Sequence, residues 1–419
     1  MLVKETISYY RANSNDVYCV FLDASKAFDR VRYDKLFNCL FDRNIPVIFI
    51  RLLLNMYTSH SACVLWDRVY TNRFPIQNGV IQGGILSPVL FCIYIDGLLD
   101  KLADTHIGCY IGRHFLGALA YADDIVLLAP TPTAMRKLLS VCDEFAKDFH
   151  ILFNAGKSKC ILFPSSHYGG INQSSILPSF FVGDNLIEYV QSWPHLGHIL
   201  CPDLRDDDDI EKRRIHTVKQ INDVLCYFGK LDPLIKLRLL YSYCSSLYGS
   251  ELWDLSCDSL NSLYVSWRRG LKNVWKLPIN THSNILYGMC VKRPIEIELK
   301  YRTLNFIYKC INSSNDVIRS ISRQALSSPG GGSIVYKNFV HCCNLFGISA
   351  FVPQHGFECY FQLSLQRASL WTRFVDILDE RIVQVLELIM VRDGTLTMWP
   401  PDILTPSDIK DYIYCVCTS

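Results

Sequence analysis

The chain has 419 residues, half of them hydrophobic and 12% aromatic, a composition that excludes a disordered polymer and leaves room for two or three structural units. Its 42 Lys and Arg stand against 40 Asp and Glu, so the net charge of +2 neither demands nor excludes nucleic acid. Any electrostatic footprint for such a partner must be local.

In chain order, the N-terminal MLVKETISYYRANSND lacks the apolar core of a secretory signal. DVYCVFLD (16–23) reads as a strand rich in β-branched and apolar residues that ends on Asp23. KAFDRVRYDKLFNCLFDRN then carries helical periodicity, and a second helix is expected from Pro46 to Met56. SACVLWDRVY and NRFPIQNGV read as two strands leading to Gln82, Gly83 and Gly84. Ser87 followed by Pro88 opens a helix towards Leu102. FLGALAYADDIVLLAP reads as strand, acidic turn and strand, Thr133 to Phe149 as an amphipathic helix, and KCILF as another strand. This order predicts an α+β fold, with helices on one face of an antiparallel sheet.

The texture changes after Cys201. RDDDDIEKRRIHTVKQINDVLCYFGK predicts a long helix whose acidic start suits the helix dipole, with Asp206 to Asp209 at an exposed N-terminus. The remainder reads as mostly helical, with a loop at SSPGGGS (327–333) and no internal repeat. The 18 Cys are scattered through apolar segments, which fits reduced thiols packed as small hydrophobes in an intracellular protein of the nucleus or cytoplasm, not a secreted one. IPVIFIRLLLNMY and SPVLFCIYIDGLL are broken by Arg51 and Asp96 and too short to span a bilayer, so no membrane partner is expected.

Three carboxylates carry the chemistry: Asp23 at a strand end, and Asp123 with Asp124 inside an apolar run. Taken alone, the adjacent pair reads more simply as a hairpin turn than as a site, since Asp is a common turn residue. Two strand-borne carboxylates brought together repel unless a cation lies between them, and Mg²⁺ suits a few carboxylates plus substrate phosphates. Two such ions stabilise the attacking and leaving oxygens of an in-line phosphoryl displacement. From the residues alone, that chemistry is one option among several.

The motifs narrow the options. VFLDASKAFDRV resembles the first catalytic block of reverse transcriptases, GVIQGGILSPVLFCIYIDGL their glycine-containing second block, and AYADDIVLL their YxDD box. FNAGKSKCILF and SWPHLGHIL are similar to the fourth and fifth blocks, in the usual order. The nearest resemblance is to polymerases of non-long-terminal-repeat (LINE-like) retrotransposons; it covers about residues 15 to 290, including LYGSELWDL and VSWRRGLKNVWKLPINTHSNIL. The resemblance implies a right-hand polymerase: a palm with a remnant of fingers over 1–200, a helical thumb-like region over 201–290, and a C-terminal, mostly helical region over 291–419 whose role is open.

It also implies residue roles. Asp23 and Asp123 would hold two Mg²⁺ ions (Mn²⁺ as the alternative), Asp124 would complete the acidic cluster, and the Ala24 carbonyl would add a ligand. Phe28 would lie under the incoming sugar and exclude a 2′-OH. Gln82 and Gly83 would contact the nucleotide, and Lys157 the leaving pyrophosphate, with Lys159 close enough to compete for that role. Leu196 and Gly197 would position the primer end. The partners implied are an RNA template, a DNA primer and dNTPs; the oligomeric state is open.

Other features pull both ways. WRRGLKNVWK interleaves Arg268, Arg269, Lys272 and Lys276 with Trp267 and Trp275, which suits a phosphate track or a core helix with a solvated face. His195 with His198, and the group His341, Cys342, Cys343, His355 and Cys359, have poor spacing for zinc. About 22 residues precede Asp23, where this family carries fingers, and no endonuclease motif is present. The alternative to a reverse transcriptase is therefore a catalytically inactive, truncated retrotransposon relic that at most binds nucleic acid. A polymerase of group II intron type is disfavoured by the sequence after residue 265.

Overall fold

The computed structural model describes residues 1–165, 177–283, 286, 290, 294–327 and 332–346. The chain divides into two compact units, one comprising residues 1–193 with 201–204 and 330–332, the other the remainder.

The first unit is built on a five-stranded sheet. Its central strand, β1 (Val17–Asp23), pairs antiparallel with β3 (Asp124–Ala129) on one side and with β4 (Lys159–Phe163) on the other. β2 (Ala118–Tyr121) and β5 (Glu188–Tyr189) close the two edges, giving the order β5-β4-β1-β3-β2. β5 runs parallel to β4, so the sheet is mixed and the antiparallel expectation is corrected at that edge. A parallel neighbour needs a crossover, and the 25 or so residues between the two strands are ample for one.

Alternation along β1 explains its central place. Tyr18, Val20 and Leu22 face one core with Ile125, Leu127 and Ala129, while Val17, Cys19 and Phe21 are also buried on the other face. A strand buried on both sides reads as a continuous apolar run, and each fully buried aliphatic side chain contributes roughly 1.5–3 kcal/mol. Helices α2 (Tyr33–Asp42), α4 (Ser87–Asp104) and α5 (Pro132–Phe149) supply Leu36, Leu40, Phe91, Tyr94, Leu98, Leu138 and Phe145 to the first core. α3 (Val47–Thr58) touches it through Ile50, Leu53 and Tyr57 and leaves Ile48 and Leu52 exposed.

A helix that the sequence reading did not anticipate, α1 (Leu2–Ala12), packs against β1 with Ile7 buried outside that core. Its Tyr10 hydroxyl accepts from the Tyr110 amide at 2.8 Å, and Arg11 Nε donates to the Pro164 carbonyl at 2.8 Å. Helices on a single face are therefore corrected to helices on both. SACVLWDRVY is likewise not one strand. It folds back at Asp67 and Arg68, both with positive φ, so that Leu65–Trp66 pairs with Val69–Tyr70 and Ser61–Ala62 with Phe74–Pro75. Two residues with φ above zero make the two-residue turn that matches strand twist.

The second unit contains the hairpin β6 (Trp193–His195) and β7 (His198–Leu200), apart from Trp193, and the helices α6 (Asp207–Tyr227), α7 (Pro233–Tyr243), α8 (Leu260–Trp275), α9 (Ile295–Ile311), α10 (Asp316–Ser327) and α11 (Ile334–Phe346). Here the acidic run is corrected. Asp206 and Asp209 are buried, not solvated, because His198 lies between them: its Nε2 is 3.1 Å from Asp206 Oδ1 and its Nδ1 3.3 Å from Asp209 Oδ2. Asp209 also accepts from Trp253 Nε1 at 2.7 Å and the Ile199 amide at 3.2 Å, and Asp206 from the Asp254 amide at 2.8 Å.

In α8, Trp267 and Trp275 are buried core, Arg268 pairs with Glu296, and Lys272 donates to the Ile279 carbonyl. The phosphate-track reading keeps only Arg269 and Lys276 as exposed cations. Cys342 and Cys343 are buried and free, while His355 and Cys359 lie outside the described residues. Among the described residues no helix is long and apolar enough to cross a membrane.

Candidate active site

The site begins with strand register. β1 and β3 align Asp23 directly opposite Asp124 at the end of the ladder, so their side chains leave the same face of the sheet. β2 and β3 are joined by the two-residue turn Ala122–Asp123, closed by the Tyr121 and Asp124 pair. Ala122 takes a φ of 54°, a left-handed conformation that costs a residue with a Cβ about 1–2 kcal/mol. The hairpin turn thus puts Asp123 and Asp124 where the apolar strand ends.

Electrostatics show the crowding. The Asp124 carboxyl is raised above its ordinary range, by partial burial first and then by the charges of Asp123 and Asp23. Oδ2 of Asp23 is out of contact with solvent and has no hydrogen-bond partner. A shielded carboxylate oxygen without a donor, beside two like charges, is a condition that a cation relieves.

The backbone of Asp23 is held from the FNAGKSK segment. The Ser158 hydroxyl accepts from the Asp23 amide at 3.2 Å, and the Asp23 carbonyl accepts from the Asn154 amide at 2.9 Å. Ser25 donates to the Leu152 carbonyl at 2.8 Å, which completes a bridge between Ala24 and Phe153. That bridge uses the Asp23 carbonyl and the Ser25 amide, leaving the Ala24 carbonyl outside its hydrogen bonds. Asn154 turns the chain by accepting from the Lys157 and Ser158 amides.

The two candidate lysines are separated by this turn. Lys157 Nζ lies 3.9 Å from Asp23 Oδ2, with its side chain 68% exposed. Lys159 is only 14% exposed and is committed to Glu188 Oε2 and the Gly156 carbonyl, both at 2.7 Å. The ammonium beside the carboxylates is therefore that of Lys157.

Phe28 opens a short 3-10 turn (Phe28–Arg30) and is half-buried, its ring centroid 5.1 Å from that of Phe91. The second block docks onto the same turn. Gly79 donates to the Val31 carbonyl and Val80 to the Phe28 carbonyl, each at 2.8 Å, and Gln82 Nε2 donates to Asp29 Oδ1 at 3.1 Å. Gly83 has a φ of 82° and open space where a Cβ would stand. Gly79 was not singled out from the sequence, yet a Cβ there would stand 2.9 Å from the Asp29 Cα and carbonyl oxygen. The Asn78-Gly79 dipeptide was the available signal.

Leu196 and Gly197 form the turn of the β6–β7 hairpin, both with positive φ, and belong to the second unit. The Gly197 carbonyl accepts from Arg213, whose guanidinium lies 5.9 Å from the Tyr248 ring centroid. His195, the other half of the HxxH spacing, is pushed down to about 4 by burial, and His198 is committed to the two aspartates.

Among the described residues no group of three or more His, Cys, Asp or Glu side chains is arranged to hold a metal ion. The facing pair still suits Mg²⁺, which is typically held by one or two carboxylates together with substrate phosphate oxygens. The shielded Asp23 Oδ2 is the atom of this chain that such an ion would satisfy.

Residues 2–200 match the family model described as reverse transcriptase (RNA-dependent DNA polymerase). The chain is 31% identical over 192 residues to a Retrovirus-related Pol polyprotein from type-2 retrotransposable element R2DM of Drosophila melanogaster, covering 43% of this chain and 17% of that protein. It is 26% identical over 270 residues to an RNA-directed DNA polymerase from mobile element jockey of Drosophila funebris, covering 62% of this chain and 28% of that protein. Among solved structures, a telomerase from Candida tropicalis in complex with a TWJ fragment of telomeric RNA gives a TM-score of 0.40 at 13% identity, covering 86% of this chain and 50% of that one. The chain spans less than a third of the length of each curated relative it matches.

Proposed function

We propose, on the premise that residues 2–200 are a reverse transcriptase domain like those of the R2, jockey and X-element retrotransposon polyproteins, that this chain extends a DNA primer on an RNA template. The observation that carries the reading is the facing of Asp23 and Asp124 beside Lys157, with Asp23 Oδ2 shielded and without a hydrogen-bond donor. On this reading the five-stranded sheet is the palm and the second unit contains the thumb.

The reaction is attack of a primer 3′-OH on the α-phosphate of a dNTP; a new P–O bond forms as the bond to pyrophosphate breaks. Asp23, Asp123, Asp124 and the Ala24 carbonyl are the groups that would hold divalent cations, Mg²⁺ or Mn²⁺, which when bound neutralise charge at the attacking and leaving oxygens. Lys157 offers its exposed ammonium to the departing pyrophosphate, as a proton donor or a fixed charge. Phe28, anchored on Phe91, presents a ring that a ribose 2′-OH would meet, which favours deoxynucleotides. Gln82 is held on the Phe28 turn through Asp29 and offers a side-chain amide, and at Gly83 the open space where a Cβ would stand allows close approach of a nucleotide. Leu196 and Gly197 would guide the primer end.

Primer extension on an RNA template with Mg²⁺ tests the reading, wild type beside Asp123→Ala. The reading expects extension by the wild type and its loss in the variant. No extension with either Mg²⁺ or Mn²⁺ would leave the inactive-relic reading standing instead.

A further inference from the structure

Asp23 is the last residue of β1, and the ladder with β4 stops short of it: the register runs from Val17 opposite Phe163 to Phe21 opposite Lys159. Beyond Phe21 the regular pairing with β4 is interrupted by the turn from Asn154 to Ser158, and pairing resumes at the Ala24–Phe153 bridge. In between, a side chain completes the ladder. The Ser158 hydroxyl takes the Asp23 amide at 3.2 Å, in the place a strand carbonyl would occupy, while the Asn154 amide takes the Asp23 carbonyl at 2.9 Å.

Ser158 is fully buried, and its hydroxyl is the acceptor of the Asp23 amide. Without its oxygen, the Asp23 amide is left unpaired at the point where the carboxylate must be fixed. Ser158 is also the immediate neighbour of Lys157. One hydroxyl therefore ties the backbone of Asp23 to the residue that follows Lys157, the other member of the 3.9 Å pair.

We propose that Ser158 is a positioning residue for the polymerase site: its hydroxyl fixes the end of β1 and with it the separation of Asp23 and Lys157. The role in turnover rests on the polymerase reading, while the anchoring of Asp23 does not. Residues that hold reacting groups within about 0.5 Å lower the rate when removed without weakening substrate binding in proportion.

Ser158→Ala tests both parts in the full chain. In protein labelled with ¹⁵N-aspartate, the Asp23 amide exchanges about tenfold faster in Ser158→Ala, while the Asp42 amide in α2 is unchanged. In primer extension, kcat falls by about tenfold or more with KM for the primer–template unchanged, and Ser158→Thr, which keeps the hydroxyl, recovers kcat. An Asp23 amide as protected in Ser158→Ala as in wild type overturns the proposal, and so does a wild-type kcat in that variant. If the wild type itself extends no primer, the polymerase reading fails, and the exchange of the Asp23 amide still decides whether Ser158 anchors the carboxylate.

Discussion

Asp23 and Asp124 stand directly opposite each other where two apolar strands end, a pairing of like charges that costs stability unless something between them is positive. Their coupling is measurable without any ligand. Asp124 is raised by burial, by Asp123 and by Asp23, so Asp23→Asn removes one of those causes and its carboxyl pKa falls. A carboxyl-selective NMR titration of both proteins reads this. An Asp124 that titrates identically in the variant would show that the facing in the ladder carries no electrostatic contact.

The two lysines of FNAGKSK separate function from stability. Lys157→Met removes an exposed ammonium whose nearest acid is 3.9 Å away, so stability changes little and extension falls on the order of 10²-fold, the usual scale for a positioned proton donor. Lys159→Met breaks two 2.7 Å hydrogen bonds from a mostly buried side chain and costs about 1 kcal/mol, with extension retained in the folded fraction. Urea midpoints beside extension rates check both. Reversal of the two effects would exchange the roles.

Acid acts first on the β6–β7 hairpin. His195 is lowered from 6.5 to about 4, so the folded state prefers its neutral form; that stability is complete above pH 6.5 and is lost as pH falls towards 4. Asp209 adds a later loss. Burial raises its carboxyl, but hydrogen bonds from His198 and Trp253 outweigh burial and hold it below the ordinary range, so its contribution disappears as pH falls through that lowered value. Denaturant midpoints against pH should therefore decline below 6.5, with a shallower decline in His195→Gln. Equal slopes in the two proteins would remove His195 from the account.

Gly79→Ala should cost more than Gly83→Ala. Both positions have positive φ, so each pays about 1 kcal/mol of backbone strain, but only at residue 79 does the new Cβ meet backbone, at 2.9 Å. Overpacking adds roughly 1–3 kcal/mol and loosens the strap between Gly79–Val80 and the Phe28 turn. Comparing the two midpoints checks this, and equal costs would contradict the close approach.

Much of the first unit was legible in the sequence because its central strands are short apolar runs and its helices are punctuated. Pro132 and Ser87–Pro88 begin helices, and KCILF is the whole of β4. What escaped has local causes. α1 shows little apolar periodicity, since Lys4, Glu5, Thr6 and Ser8 are buried with Ile7. SACVLWDRVY looks like one strand because Arg68 stands where a tight turn with positive φ usually has Gly. The parallel edge strand β5 has only two residues, too few for any pattern.

At the candidate site, the acidic residues and Lys157 could be read from their blocks, but not what joins them. Asp206 and Asp209 looked solvated because a helix N-terminus explains an acidic run; that His198 lies between them depends on a hairpin folding back onto α6. Ser158 carries no signal at all in the sequence, since a serine after a lysine in a turn is ordinary.

The most direct test is single-nucleotide incorporation onto a DNA primer annealed to RNA, in Mg²⁺, by wild type, Asp23→Ala and Asp124→Ala compared at matched folded fraction. The account predicts incorporation by the wild type and a loss on the order of 10²-fold or more in each variant. Incorporation by both variants at the wild-type rate would contradict it.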